Sequence, residues 1–178
     1  MGKTIHRVSY THAVLEGTAH RVGRQQGARV ARDPKALGFF TSGNRSPEKT
    51  RKAIAFFDRY CPRLNEEIQG FADELGVSLE RVVYYALSYD PVPAAPSGAC
   101  SQMVVMPSQS ADGHLRVARS YEFSHRMSDR RLATTRIEGH AAHLGFSEML
   151  FGRDDGMNEH GLCVTMSAGA PMAPVEPD

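Results

Sequence analysis

The sequence predicts an α+β protein, with helices in its first part and strands in its second. Three observations support this fold class. Apolar residues recur at helical spacing up to about residue 89, β-like runs replace that periodicity after residue 100, and a proline-rich stretch separates the two regions. Hydrophobic residues make up 41% of the 178 residues, which is enough for a packed core. Helices followed by strands favour an α+β arrangement over alternating βαβ units.

The first predicted helix begins after Thr18, whose hydroxyl can cap it, and runs to about Ala31. It follows an extended lead-in over residues 5–15. Gly23 and Gly27 lie four residues apart on its apolar side, although each weakens a helix by up to about 1 kcal/mol relative to alanine. We therefore expect both glycines to allow close packing against a neighbouring backbone.

Three more helices are predicted before residue 90. Ser46 and Pro47 are a capping hydroxyl and a first-turn proline, so a helix begins there and stops near Pro62. The next helix ends at Gly76, and Ser78 caps the one after it. The apolar positions of the three helices are Ala53, Ile54, Phe57 and Tyr60, then Leu64, Ile68, Phe71 and Leu75, then Leu79, Val82, Val83, Ala86 and Leu87.

Residues 90–99 contain three prolines and form a predicted linker, because proline is excluded from helix interiors and central strands. The linker leads to Cys100. Asp112-Gly113 is a hairpin turn signal between the first two predicted strands. The predicted strands are residues 101–106, 115–123, 133–138, 143–150 and 162–167. The chain thus divides into a mostly helical region, 1–99, and a β-rich region, 100–178.

The charge balance excludes several classes of protein. Lys+Arg (21) and Asp+Glu (20) nearly cancel, which argues against a nucleic-acid partner. The one dense basic stretch, residues 126–136, is interpreted as a solvated loop. No secretory signal or membrane span is apparent in the sequence. The three cysteines include no CxxC pair, which favours a cytoplasmic location. His140 and His143 would point to opposite faces of a strand, so no metal site is expected.

Cys100 is the main candidate for chemistry. It stands between a linker and the first strand of the β-rich region, where a free cysteine can also be an ordinary small core residue. If the bond between Ala99 and Cys100 is cut, the freed α-amine can act as base for the thiol. A thiol enzyme that pairs Cys100 with His114 or His125 needs no cleavage and is an alternative.

Four motifs, in order, resemble the isopenicillin N acyltransferase family of linear amide C–N hydrolases, which is related to the choloylglycine hydrolases. The glycine motif at 17–27 (GTAHRVGRQQG) resembles the opening of that family, and 68–80 (IQGFADELGVSLE) resembles its helical segment. Residues 98–101 (GACS) with 118–123 (ARSYEF) resemble the nucleophile hairpin. Residues 155–162 (DGMNEHGL) are similar to a shared Asn-Glu-Lys-Gly-Leu turn.

The resemblance implies a partial N-terminal-nucleophile hydrolase fold of αββα type, preceded by a helical pro-segment or alpha-chain-like region over 1–99. It implies self-cleavage before Cys100, no cofactor, and an acyl-enzyme formed from a small acylated amine or amide. Cys100 is the implied nucleophile and base, Arg119 lies beside it, and Glu122 orients its amine. Water as acceptor would make the protein a hydrolase and a bound amine would make it an acyltransferase; both stay open.

The departures from the family favour an alternative, a non-catalytic binding or scaffold protein. Ala99 precedes Cys100 where the family has glycine, and Ser120 and Glu122 replace asparagine and aspartate. The longer acid moves its carboxylate by roughly 1.5 Å. The chain is also expected to be truncated at its C-terminus relative to the family. A homo-oligomer or a complementing C-terminal fragment would then complete the site.

Overall fold

The computed structural model describes residues 9–41, 46–87, 100–121, 129–147 and 150–167. Within these residues the protein is α+β, as predicted, and its strands form two sheets. The helices are α1 (Ala19–Val30), α2 (Pro34–Thr41), α3 (Pro47–Tyr60), α4 (Leu64–Leu75) and α5 (Leu79–Leu87). The strands are β1 (Thr11–Gly17), β2 (Ser101–Val105), β3 (Arg116–Ser120), β4 (Arg131–Ile137), β5 (His143–Ser147), β6 (Asp155–Asn158) and β7 (Cys163–Thr165).

The helix boundaries predicted from capping residues are confirmed. The Thr18 side chain accepts a hydrogen bond from the Arg21 amide at the start of α1. The Ser46 side chain does the same for the Lys49 amide at the start of α3. Gly76 ends α4 with φ 66°, a left-handed conformation that glycine adopts without strain.

The crossing of α1 and α4 depends on glycines, as the sequence indicated. A Cβ on Gly23 would lie 1.9 Å from the Glu67 carbonyl oxygen, and one on Gly70 would lie 1.9 Å from the His20 carbonyl oxygen. The two backbones therefore touch at this point, which any larger residue prevents. Side-chain bonds flank the contact: His20 Nε2 lies 2.8 Å from Asp73 Oδ2, and Arg24 Nε donates to Glu74 Oε2 over 2.9 Å.

The main core lies among the helices. Phe40 and Phe71 are almost fully buried, with ring centroids 5.2 Å apart. Ile68 of α4 and Val82 and Val83 of α5 are fully buried in the same cluster. The apolar spacing that predicted α4 and α5 therefore marks the faces that pack together.

The larger sheet has the order β1-β4-β5-β6-β7. β1 precedes the helices and pairs in parallel with β4, from Thr11 opposite Arg131 to Gly17 opposite Ile137. The predicted order of helices first and strands second therefore misses β1. As a result the N-terminal region contributes an edge strand to the sheet of the C-terminal region.

Two further elements, α2 and β6, were missed, and one interpretation was wrong. α2 begins after Asp33, whose carboxylate accepts hydrogen bonds from the Lys35 and Ala36 amides; an acid before a proline is a cap signal that could have been read. β6 was taken for part of a turn. The basic stretch 126–136 is not a solvated loop over its described part, because Arg131 begins β4 and forms a buried ion pair with Asp129.

β2 and β3 form a separate antiparallel hairpin, which confirms the predicted pairing around Asp112-Gly113. The connection is longer than a two-residue turn and includes a short 3-10 helix at Pro107–Gln109. Gly113 takes φ 71°, and the Asp112 carboxylate accepts from the Ser110 hydroxyl, so both turn residues act as expected. Among the residues described, none of the helices is both long and apolar enough to cross a membrane.

Candidate active site

The register of the hairpin brings the predicted nucleophile next to the predicted arginine. Ser101 lies opposite Ser120 and Gln102 lies opposite Arg119, so Cys100, directly before β2, is adjacent to both strands at this end. Alternate residues of a strand share a face. Cys100, Gln102, Arg119 and Tyr121 therefore belong to one face of the hairpin, with Cys100 partly buried.

Arg119 is held by contacts on several sides. Its guanidinium lies beside the Cys100 sulfur and donates to the carbonyl oxygens of Ser120 and Met166. Its Cζ lies 3.8 Å from the centroid of the Tyr121 ring, within the range of a cation–π contact. Only 9% of the Arg119 side chain is exposed. The arginine is therefore locked against the thiol and is not a solvated strand residue.

Asp155 is the site residue that sequence reasoning missed. Its Oδ1 lies 3.6 Å from Arg119 Nε and accepts a 2.8 Å hydrogen bond from the Met166 amide. The Asp155 carboxylate also acts on the Tyr121 hydroxyl and raises its pKa. Asp155 is the first residue of β6, but the sequence interpretation placed it in a glycine-containing turn. The sequence signal for Asp155 was an acid directly before a glycine, at the start of the DGMNEHGL segment. Its strand lies next to the hairpin only in the folded protein.

The charges at the site are mutually stabilised. Burial opposes the charged form of Arg119, yet the neighbouring Cys100 sulfur and the charges of Tyr121 and Asp155 raise its pKa above the usual value. Burial, followed by the hydrogen bond and charge of Asp155, raises the pKa of Tyr121 far above its usual value. At neutral pH the site therefore contains a guanidinium and a protonated phenol.

The hairpin is attached to the larger sheet at this point. The Thr165 hydroxyl of β7 donates to the Gln102 side-chain oxygen, next to the Arg119–Asp155 pair. A cavity of about 250 Å³ opens beside these residues. It is lined by Ser101, Gln102, Met103, Ala118, Arg119 and Ser120. Ser101, Met103, Ala118 and Ser120 belong to the hairpin face opposite that of Cys100, so most of this cavity does not face the thiol.

The other predicted site residues fall elsewhere. Glu122, the implied partner of the nucleophile's amine, lies outside the described residues, as do Ala99 and His125, and their roles stay predictions. His114 lies beyond the far end of the hairpin, past the Val105–Arg116 pair. At a rise of about 3.3 Å per residue it is on the order of 15 Å from Cys100 along the strands, so the described geometry does not support pairing Cys100 with His114.

The DGMNEHGL segment has a structural role in addition to Asp155. The Asn158 side-chain oxygen accepts hydrogen bonds from the His160 and Leu162 amides, at 3.0 and 2.9 Å, and closes the turn between β6 and β7. Glu159 accepts from the Ala142 amide over 2.8 Å and so fixes the neighbouring β4–β5 turn. This motif therefore shapes the strand that presents Asp155.

The described geometry defines an α+β protein with a thiol, a guanidinium, a phenol and a carboxylate gathered where a hairpin meets a larger sheet. Residues 110–176 match the family described as acyl-coenzyme A:6-aminopenicillanic acid acyl-transferase, which confirms the resemblance to the isopenicillin N acyltransferase family. The matched segment includes Arg119 and Asp155 and begins after Cys100. It indicates acyltransferase or amidohydrolase chemistry in general terms. Among curated proteins, none matches the chain.

Proposed function

We propose that this chain carries the nucleophile-bearing part of a cysteine N-terminal-nucleophile enzyme, an amidohydrolase or acyltransferase acting on linear amides through Cys100. The single observation that carries the proposal is the position of the Arg119 guanidinium beside Cys100, whose sulfur acts to raise the pKa of the arginine. A guanidinium beside a thiol favours the thiolate, which is the nucleophilic form. The family match to the segment that contains Arg119 supports the same chemistry.

The first step would be self-cleavage. The Cys100 sulfur attacks the Ala99 carbonyl carbon, the C–N bond breaks, and the proton lost by the thiol passes to the Cys100 nitrogen. Water then hydrolyses the resulting thioester and leaves a carboxylate on Ala99 and a free amine and thiol on Cys100. An amine with a pKa near 8 can then serve as the base in turnover.

In turnover the thiolate would attack the carbonyl of an acylated amine or amide. The C–N bond breaks, the leaving amine takes the proton held by the Cys100 amine, and an acyl-enzyme thioester remains. Water releases a carboxylic acid, or a bound amine accepts the acyl group. These steps need no metal or organic cofactor, and a free thiol nucleophile suits a reducing compartment such as the cytoplasm.

An αββα arrangement is part of the proposal. Helices cover one face of the larger sheet, where Leu15, Val22 and Ala133 form a small buried cluster. By register and alternation, Asp155 and Thr165 belong to the opposite face, which is the face that meets the hairpin. The hairpin lies against that face as the start of a second sheet, and this arrangement supports the αββα proposal.

A non-catalytic relative is the second candidate, and one observation favours it. Arg119 also donates to two backbone carbonyls and pairs with Asp155, so it has a structural role without any turnover. In that case Cys100 would be an ordinary strand cysteine. The reactivity of its thiol separates the two candidates.

The deciding experiment is intact mass spectrometry of the purified, denatured protein, followed by alkylation of the native protein. The proposal predicts two fragments divided between Ala99 and Cys100, and a single full-length mass in the Cys100→Ala variant. Cys163→Ala is the matched control and should cleave normally. An uncleaved chain whose Cys100 reacts with iodoacetamide no faster than Cys163 would instead support the non-catalytic relative.

A further inference from the structure

A second cavity, of about 440 Å³, lies away from Cys100. It is an open depression bordered by the α3–α4 connection, the first turn of α4 and the turn between β4 and β5, and it also reaches His143 and Asn158. Its lining shares no residue with the contacts of Cys100 and Arg119. Asn158 and Asp155 are three positions apart on β6, so they belong to opposite faces of the sheet. The cavity is therefore separate from the candidate active site.

The walls of this cavity are fixed by hydrogen bonds. Arg63 Nη1 donates to the Glu138 carbonyl over 2.8 Å, which ties the α3–α4 connection to the β4–β5 turn. Arg63 itself has φ 67°, a left-handed conformation that is rare for residues other than glycine and is frequent at ligand sites. The Glu159 amide donates to the Ala142 carbonyl over 2.9 Å and holds the other side. The space is therefore preformed.

Glu67 places a carboxylate with an incomplete set of partners at this cavity. Within the described part of the chain, the amide of Gln26 is the one side chain that donates to it. The buried cation Arg153 donates instead to Gln26 Oε1 and Thr135 Oγ1, each over 3.1 Å, and acts on Glu67 only through space. Burial raises the pKa of Glu67, although Gln26, Arg153 and His140 act in the opposite direction. A desolvated carboxylate of this kind is stabilised by a bonded cation.

His143 adds a second acceptor. Burial lowers its pKa, and the charges of Arg153 and His140 act in the same direction, while a hydrogen bond to the Ala141 carbonyl opposes them. The imidazole is therefore neutral at pH 7.5. A neutral imidazole keeps a lone pair on one of its two ring nitrogens. The rest of the lining is mainly apolar, including Leu64 and Ile137.

We propose that this cavity is a second ligand site, which binds a small primary amine with its ammonium on Glu67 and its alkyl body against Leu64 and Ile137. The size of the cavity falls in the range of small-molecule sites, roughly 300–1,000 Å³. A neutral imidazole at His143 can accept a second hydrogen bond from the same ammonium. This proposal does not depend on the chemistry of Cys100.

Titration calorimetry with hexylamine at pH 7.5 tests the proposal, with 1-hexanol as the uncharged probe. Hexylamine should bind saturably at one site and at least about tenfold more tightly than hexanol, since a charge-assisted hydrogen bond is lost with the ammonium. Glu67→Gln should weaken hexylamine binding by about tenfold. Glu66→Gln is the matched control, because it removes an exposed carboxylate from the same helical turn, and it should bind as the unchanged protein does.

A second measurement uses the unchanged protein, so the test does not depend on whether Glu67→Gln folds. Cys61 lines the cavity and Cys163 does not. Saturating hexylamine should therefore slow alkylation of Cys61 by iodoacetamide and leave that of Cys163 unchanged. The proposal is overturned if hexanol binds as tightly as hexylamine, if Glu67→Gln folds and binds normally, or if Cys61 gains no protection.

Discussion

Asp155 of β6 and Arg119 of β3 form the ion pair that joins the hairpin to the larger sheet. Their closest atoms, Asp155 Oδ1 and Arg119 Nε, are 3.6 Å apart, and the two side chains are only 11% and 9% exposed. The same carboxylate accepts from the Met166 amide. One residue therefore orients both the guanidinium next to Cys100 and the segment that follows β7.

Asp155→Asn should lower the free energy of unfolding by about 1–2 kcal/mol, since the amide leaves a nearly buried guanidinium with a weaker partner. Urea denaturation measures the change. Asp112→Asn provides the comparison, because the Asp112–Arg116 pair lies on the same hairpin but is largely exposed. A smaller loss is expected there, and equal losses would contradict the assignment of Asp155 as the joining residue.

Arg119→Gln should slow the alkylation of Cys100 by iodoacetamide at pH 7 by about tenfold, because the thiolate loses the positive charge beside it. Peptide mapping after timed alkylation measures the rate. Arg116→Gln, at the other end of β3, should leave it unchanged. If Arg119→Gln reacts at the original rate in a folded protein, the arginine does not activate this thiol.

Gly23→Ala should destabilise the protein by about 3 kcal/mol, because its Cβ would lie 1.9 Å from the Glu67 carbonyl oxygen and must push two helix backbones apart. Gly38→Ala in α2 is the matched substitution. A Cβ there has nothing within 4 Å, so a gain of about 0.5–1 kcal/mol is expected from the better helix former. Thermal or urea unfolding of both variants measures these effects, and a tolerated Gly23→Ala would refute the close crossing.

His143 should make the protein less stable as the pH falls. Burial lowers the pKa of this imidazole in the folded state, against the opposing bond to Ala141, so the unfolded chain takes up the proton first. Stability is therefore lost as the pH falls through the usual histidine pKa of about 6.5 towards the lower folded value. His143→Gln should reduce the fall in unfolding free energy between pH 7.5 and 5.5, whereas His160→Gln, in an exposed turn, should not. An unchanged pH dependence in His143→Gln would contradict this prediction.

The sequence predicted those features that arise from local rules. Caps such as Thr18 and Ser46 and the apolar spacing of α4 predicted helix ends and buried faces, because both act within a few residues. β1 was not recognised as a sheet strand, since its pairing partner β4 lies more than a hundred residues away. The sequence interpretation placed Arg131 in a solvated loop because of its charge. The buried ion pair with Asp129 explains how this arginine can begin a strand.

The same distinction between local and distant contacts applies to the candidate site. Cys100 and Arg119 were found through a motif on one hairpin, where the register follows from short-range pairing. Asp155 was missed because its contacts with Arg119 and Tyr121 depend on how the hairpin sits on β6. A single sequence shows the type and order of such residues, but not which of them meet across two sheets.

The parallel pairing of β1 with β4 has a consequence for a chain cut before Cys100. The N-terminal fragment would keep its backbone hydrogen bonds to β4 and its buried contacts at Leu15 and Val22, so the two pieces would behave as a non-covalent heterodimer. Unfolding would then become bimolecular, and its midpoint would rise with protein concentration. Separately produced fragments 1–99 and 100–178 would be expected to reassociate on mixing.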